Sequence, residues 1–321
     1  MQTRFTQLVG CSVPIQLAPM GAISSPDLAV AVADAGGVGT VTSLGTPPDV
    51  LLARLDDMRR RTDGVLSANV LLPDVDTGFL TAVAEQVRLL DFFWFDPQPQ
   101  LVEVVHRAGA LAGWQVGSVE EARAAADAGC DVVTVQGVEA GGHVRGYEPL
   151  FPLLQEVLDA VAVPVLAAGG ISDRGTFAEV LRTGADGARI GTLFIATTES
   201  GAHPAYKQAI VDAGEDATVI TDAFADCPLC ATSARARVLR TAIDRVGQVP
   251  DDVVGTATMG DRRMPVPRRS GLPPFAGVGG QVDAMALYAG AGVGSVSAVR
   301  PAAEVIADLM TAVDRPPARA G

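Results

Sequence analysis

A chain of 321 residues, 48% hydrophobic but only 5% aromatic, has enough apolar material for a large core of Ala, Val and Leu, arranged as one large barrel with an insertion or as two domains. Its formal charge of −13 argues against nucleic acid and against anionic membrane surfaces as partners. No stretch approaches the ~20 apolar residues of a membrane helix, MQTRFTQLVG has no signal-peptide core, and Cys11, Cys130, Cys227 and Cys230 make no disulfide framework for this length, so a reducing cytoplasm is expected.

Along the chain, short apolar runs alternate with amphipathic stretches punctuated by Gly, Pro or Ser. The runs cover 15–18, 38–41, 67–71, 92–95, 111–116, 132–136, 163–167 and 187–190. Ser25-Pro26 caps and starts the helix after the first run, and Gly36-Gly37 ends it. A helix over 101–108 follows the fourth run. Ser118-Val119-Glu120-Glu121 and Thr176-Phe177-Ala178-Glu179 read as capping boxes. Runs rich in Val, Leu and Ala suit parallel strands covered by helices. Eight strand-helix units predict an α/β fold of the (β/α)8 TIM-barrel type, with an open doubly wound sheet as the rival.

Beyond residue 205 the alternation breaks. Helices are expected over 205–213 and 234–246, the stretch 255–280 resists assignment, and a final amphipathic helix covers 301–313. The expected division is a barrel from 1–205 and 281–321 with a smaller inserted cap or substrate domain at 206–280. The tail 315–321 reads as disordered.

In such a barrel, function sits where strands end. Pro19-Met20-Gly21 follows the first run, Asn69 lies near the end of the third, Gln115 interrupts the fifth, and Gln136 ends the sixth before Gly141-Gly142-His143. The seventh run leads into Ala168-Gly169-Gly170-Ile171-Ser172 and the eighth into Gly191-Thr192. Glycine at these two positions lets backbone amides approach a phosphate, and a helix N-terminus favours the anion. Tight turns would also explain glycine there. A flavin mononucleotide carries such a phosphate, and its ring and ribityl chain could meet Asn69, Gln115 and Gln136. Ordinary polar satisfaction near strand ends is the alternative for those three.

PIQLAPMG, ANVLLP, QGVEAGGH, PVLAAGGIS, GADGARIGTLF and YAGAGVGSV resemble, in order, the blocks of the nitronate monooxygenase family. The resemblance implies an FMN-binding (β/α)8 barrel with a smaller second domain. It implies that Met20, Gly21, Asn69, Gln115, Gln136, Gly141, Gly142, Gly169, Gly170, Gly191 and Thr192 bind FMN and that His143 is catalytic. It also implies oxidation of alkyl nitronates, and of nitroalkanes if His143 removes their proton, by dioxygen to carbonyl compounds and nitrite. The partners are then a small molecule and dioxygen, with a homodimer as the candidate assembly. The chain departs from the family at DFFWFDPQP, where glycine often precedes the proline, and at Ala291, where glutamine is common.

An unperturbed imidazole titrates near ~6.5, so His143 is suited to take a proton from a nitroalkane carbon or to hydrogen-bond a nitronate oxygen. His106 reads as solvated on an outer helix and His203 as structural. Cys227-Pro228-Leu229-Cys230 has no second ligand pair for structural zinc and no thioredoxin-like setting, so it reads as a turn starting a helix. Two rivals stand beside the nitronate reading. One is an enoyl-thioester reductase using flavin and NAD(P)H, which shares the barrel. The other is a non-flavin phosphate-binding lyase or isomerase, disfavoured because the sole lysine, Lys207, lies outside the barrel strands.

Overall fold

The computed structural model describes residues 1–71, 75–227, 230, 233–260 and 262–311. After a short helix α1 (Arg4–Val9), strand β1 (Ile15–Leu17) is followed by α2 (Pro26–Asp34), β2 (Val38–Thr42), α3 (Pro48–Arg61), β3 (Val65–Val70) and α4 (Thr77–Ala84). Then come β4 (Leu89–Phe92), α5 (Pro99–Arg107), β5 (Leu111–Val116), α6 (Val119–Asp127), β6 (Val132–Gln136) and a two-residue strand, β7 (Gly142–His143). Helix α7 (Leu150–Ala160), β8 (Val165–Ala168), α8 (Arg174–Thr183), β9 (Gly187–Ile190) and α9 (Thr192–Ile195) complete this part. Strands β1 to β6, β8 and β9 form a closed barrel of parallel neighbours. It closes where β1 meets β9, with Gln16 opposite Arg189. The doubly wound alternative is thereby excluded.

The two barrel ends differ. Phe5 and Val9 of α1 pack on Val38, Leu89, Val132 and Leu166 at the starts of strands. This plug seals the N-terminal mouth and leaves the carboxyl ends to carry the site. Mid-barrel, the interior is polar. Arg189 reaches Asp91 at 2.5 Å, with side-chain exposures of 1% and 0%. Gln16 Oε1 accepts from Arg189 Nε and Nη2, Gln115 Oε1 accepts from Arg189 Nη1, and Gln16 Nε2 donates to Asp91 Oδ2. A buried charge needs such a partnered cage, because desolvation would otherwise cost several kcal/mol.

Beyond the barrel come α10 (Pro204–Val211), β10 (Thr218–Thr221), β11 (Ala236–Leu239), α11 (Arg240–Gln248), β12 (Val253–Met259), β13 (Arg262–Pro267), β14 (Val278–Gly280) and α12 (Ala302–Met310). Two three-stranded sheets result, ordered β10-β11-β7 and β13-β12-β14.

Several local expectations need correction. The fourth strand is Leu89–Phe92, three residues earlier than the run 92–95. The strand thus includes Asp91, which faces Arg189 inside the barrel. Helix α8 begins at Arg174, capped by Asp173, and the reciprocal capping partner is Thr176. The predicted box at 176–179 therefore lies within the helix. At Ser118 the cap holds, but Glu121 Oε2 accepts from Gly117 N instead of closing a box. The helix expected over 234–246 is strand β11 followed by α11, and 255–280 carries the strands of a sheet. Helix α12 ends at Met310, and the tail 315–321 lies outside the described residues.

Candidate active site

The stretch QGVEAGGH leaves the carboxyl end of β6 and is pinned from two sides. Gln136 holds it from within: its Nε2 donates to His143 O at 3.0 Å and its Oε1 accepts from Arg145 N at 3.1 Å. Strand β11 holds it from outside, pairing Ala236 with His143 and Arg237 with Gly142, while Val144 N donates to Arg235 O. Gly142 adopts φ +76, which L side chains rarely do. Together these contacts fix the backbone from which the imidazole projects.

The ring of His143 is enclosed. Trp94 meets it edge to face at 5.3 Å between centroids, and Tyr288 lies at 5.8 Å. Cys227 Sγ and Cys230 Sγ each lie 3.3 Å from His143 Nε2, and the two cysteines are joined in a disulfide. Burial pushes the imidazole pKa down to about 4, so the ring is neutral at pH 7. This corrects the expectation of an ordinary imidazole. Trp94 belongs to an apolar cluster with Leu71 and Phe93, against which Leu44 and Cys227 pack. Its backbone holds φ +82, a strained conformation for a bulky residue that the surrounding packing must impose.

The glycines predicted to cradle a phosphate come together with this centre. Gly169 (φ +111) passes so near Ala140 that a Cβ would lie 2.9 Å from its N. A Cβ on Gly170 (φ +69) would lie 3.0 Å from Glu139 Cβ, and one on Gly141 would lie 2.6 Å from Gly290 N. Gly191 keeps an ordinary φ of −116, and its Cβ would face Met20 Sδ at 3.3 Å. Thr192 Oγ1 accepts from Gly290 N, and Ala291 N donates to Glu139 O. Thus the ends of β6, β8 and β9, Met20 and the segment 288–292 come together through bare backbone. Asp173 already caps α8, so an anion here would rely on loop amides more than on that helix terminus.

Asn69 and Gln115 lie deeper. Asn69 Nδ2 donates to Asp91 O and its Oδ1 accepts from Thr42 Oγ1, and Gln115 is tied to Arg189. Both are buried in the barrel at the floor of the mouth. Among the other histidines, His106 is exposed on α5, as expected, where it pairs with Asp131 Oδ2 at 2.8 Å, and His203 Nδ1 caps α10 by accepting from Ala205 N. Lys207 Nζ donates to Thr197 O, outside the barrel strands.

The sequence singled out Cys227 and Cys230 but not their place beside His143, and the ring of Trp94 and the Arg189–Asp91 cage were missed. The signal for the cage was a lone charge of each sign in two apolar runs. Two clefts, of about 440 Å³ beside Asp34 and Arg61 and about 360 Å³ beside Ser172 and Arg300, do not include His143.

A family model described as nitronate monooxygenase matches residues 2–89 and 79–312. The chain is 35% identical over 248 residues to (3aS,4S,5R,7aS)-5-hydroxy-7a-methyl-1-oxo-octahydro-1H-indene-4-carboxyl-CoA dehydrogenase of Mycobacterium tuberculosis, covering 76% of this chain and 67% of that protein. It is 30% identical over 264 residues to a probable nitronate monooxygenase of Bacillus subtilis, covering 68% of this chain and 76% of that protein. Among solved structures, FabK from Thermotoga maritima superposes with a TM-score of 0.81 at 28% identity, covering 97% of this chain and 96% of that one. Nitroalkane oxidase from Streptomyces ansochromogenes gives 0.75 at 28% identity, covering 97% and 99%.

Proposed function

The chain belongs to the nitronate monooxygenase family and is a flavin-dependent oxidoreductase, and from that premise we propose that it uses FMN to oxidise alkyl nitronates with dioxygen, yielding carbonyl compounds and nitrite. The observation that carries this reading is His143: a half-buried, neutral imidazole with aromatic neighbours, beside the glycine-lined strand ends at the barrel mouth.

The residues fit a mononucleotide. Gly169, Gly170, Gly191 and Thr192 would hold the phosphate. Gly141 and Gly142 let the backbone pass close to the ring, with Met20 and Gly21 on the opposite side. Gln115 keeps its Nε2, and Asn69 one amide hydrogen, for the ring edge or ribityl chain. Gln136 acts through the backbone of His143, as a positioning residue. In this reading 1–205 and 281–321 are the flavin-binding barrel and 206–280 the cap. The sheet β13-β12-β14 supports that division, and strand β14 ends at Gly280.

Bound FMN supplies an acceptor for the electrons that leave the nitronate. The protein's part is positional and electrostatic. Nε2–H of neutral His143 donates to an oxygen of the nitronate, and in a water-poor box a hydrogen bond to an anion is strong. Trp94 and Tyr288 exclude water and flank the alkyl group. A base with a pKa of about 4 is poorly matched to removing a carbon-bound proton near pH 7. The preformed nitronate is therefore the better substrate, and the neutral nitroalkane the poorer one.

A second reading has its own support. The Mycobacterium tuberculosis relative is named for a coenzyme A substrate, which favours a thioester reductase using flavin and NAD(P)H as the alternative. Purified protein tests the first reading. Denaturation should release FMN, and a small alkyl nitronate should drive oxygen consumption with nitrite formation. Absence of FMN, or nitronate left unconsumed by flavin-loaded protein, would reject it.

A further inference from the structure

Cys227 and Cys230 have no part in nitronate chemistry, yet they occupy the reaction centre. Both sulfurs touch the one atom, His143 Nε2, that the proposed function requires for substrate. Their loop is anchored to the cap: Asp226 N donates to Arg269 O, and Gly271 N donates back to Asp226 O. Gly271 sits so close that a Cβ there would lie 2.7 Å from Cys227 Cβ. Across from it, Tyr288 OH donates to Gly271 O, so the segment that flanks His143 on one side also braces the cysteine loop. Cys227 and Cys230 are nevertheless only half-buried, whereas Cys130 is buried. A small thiol can therefore reach the pair. Half-exposed disulfides between closely spaced cysteines are the reducible kind, and the expected reducing compartment would hold them open at rest.

We propose that Cys227 and Cys230 form a reversible thiol–disulfide site that exchanges with low-molecular-weight thiols, and that its disulfide form blocks His143 Nε2 from substrate. The blocking half rests on His143 being the reaction-centre imidazole; the exchange half does not. The chemistry balances without the flavin. A thiolate RS⁻ attacks one cysteine sulfur, breaking the Cys227–Cys230 bond and forming a mixed disulfide. A second RS⁻ attacks the R sulfur of that mixed disulfide, releasing RS–SR. Two electrons pass to the cysteine pair, and the two protons of the RSH molecules end on the two cysteine thiols. Oxidation by RS–SR runs the same steps backwards. In the dithiol, no bond ties the two sulfurs together, so the loop can turn one away and vacate Nε2.

The test uses the whole flavin-loaded protein, poised in defined ratios of reduced to oxidised glutathione, quenched in acid, alkylated and analysed by peptide mass. The peptide bearing 227–230 should gain two alkyl groups on reduction and lose both on reoxidation. Labelled-histidine NMR provides a readout independent of activity: one imidazole signal, absent in His143→Asn, should shift with the same midpoint. Nitronate-dependent oxygen uptake should rise at least tenfold on reduction. A C227S/C230S double variant should turn over at one rate whatever the glutathione ratio.

A pair that stays oxidised in excess dithiothreitol, or stays reduced in excess oxidised glutathione, would overturn the exchange. The three ligand atoms lie within 4.8 Å of one another. Copurified zinc with both thiols unreactive until chelation would overturn it in favour of a metal centre. An unmoved His143 signal, or equal nitronate turnover in both states, would overturn the blocking. Reversible titration with a moving His143 signal but no nitronate consumption in either state would uphold the exchange site and reject only the nitronate function.

Discussion

His143 is separated from the chain's other two histidines by its surroundings. His106 faces a carboxylate at the surface and His203 caps a helix, whereas His143 is buried among rings and sulfur. Its lowered pKa has two measurable consequences. Turnover of nitronate should be insensitive to this group from pH 8 down to about pH 5, because the folded imidazole gains its second proton only near about 4. Stability should follow the opposite-state logic. The unfolded imidazole takes up a proton near ~6.5, the folded one only near about 4, so the unfolded chain binds more protons between these values and stability drops as the pH falls through that window. Urea titrations at pH 7 and pH 5 should show a smaller loss for His143→Asn than for the parent protein; an identical loss would contradict the burial of the ring. On substrates, His143→Asn should retain flavin and lose activity on a preformed nitronate, whose oxygen has lost its hydrogen bond, by a factor at least as large as on a nitroalkane. A loss of ~10²-fold or more confined to the nitroalkane, the scale of a positioned base, would make His143 the proton acceptor instead. Deeper in the barrel, Asp91→Asn leaves Arg189 charged and uncompensated and should destabilise the fold by about 3–5 kcal/mol in denaturant titration; a change below ~1 kcal/mol would mean that Gln16 and Gln115 suffice. At this scale, His143 was legible because two glycines after a buried strand present it. The cysteine pair was not, because its meaning comes from an imidazole more than eighty residues away in sequence.

Among the elements, the glycine loops separate into two kinds. Gly169 is held at φ +111 against Ala140, so Gly169→Ala should destabilise the protein whether or not a ligand binds. Gly191 has φ −116, and its Cβ would meet the flexible Met20 side chain at 3.3 Å and Ala18 Cβ at 3.4 Å, with no backbone atom in the way. Gly191→Ala should therefore fold with a near-normal melting temperature and bind FMN at least tenfold more weakly in a fluorescence titration. Unchanged FMN affinity would remove the β9 end from the phosphate site. The barrel strands were legible because each is a short apolar run, buried on both faces, that needs no distant partner to be recognised. The fourth strand slipped because one of its residues, Asp91, is satisfied only by Arg189 across the barrel. Strands β11 to β14 were illegible for a related reason: Gly and Pro, which recur in β12, β13 and β14, are weak strand formers, and these strands exist through pairing with β7, with β10 and with one another.

For the whole molecule, sealing one mouth with α1 leaves the carboxyl ends of the barrel strands to carry the chemistry. The (β/α)8 architecture followed from counting eight strand-helix units, and the structure and the family agree with it. The substrate could not be read the same way, since a nitronate and a conjugated thioester ask for the same flavin and the same glycine-lined strand ends. The proposed preference for a nitronate rests on the aromatic rings beside His143. The most direct test sets two reactions side by side on the reduced, FMN-loaded protein: oxygen uptake with a small alkyl nitronate, and NADH oxidation with a crotonyl thioester. The account predicts rapid oxygen uptake with nitrite formation and negligible NADH oxidation. Rapid NADH oxidation that depends on the thioester, with the nitronate left untouched, would contradict it.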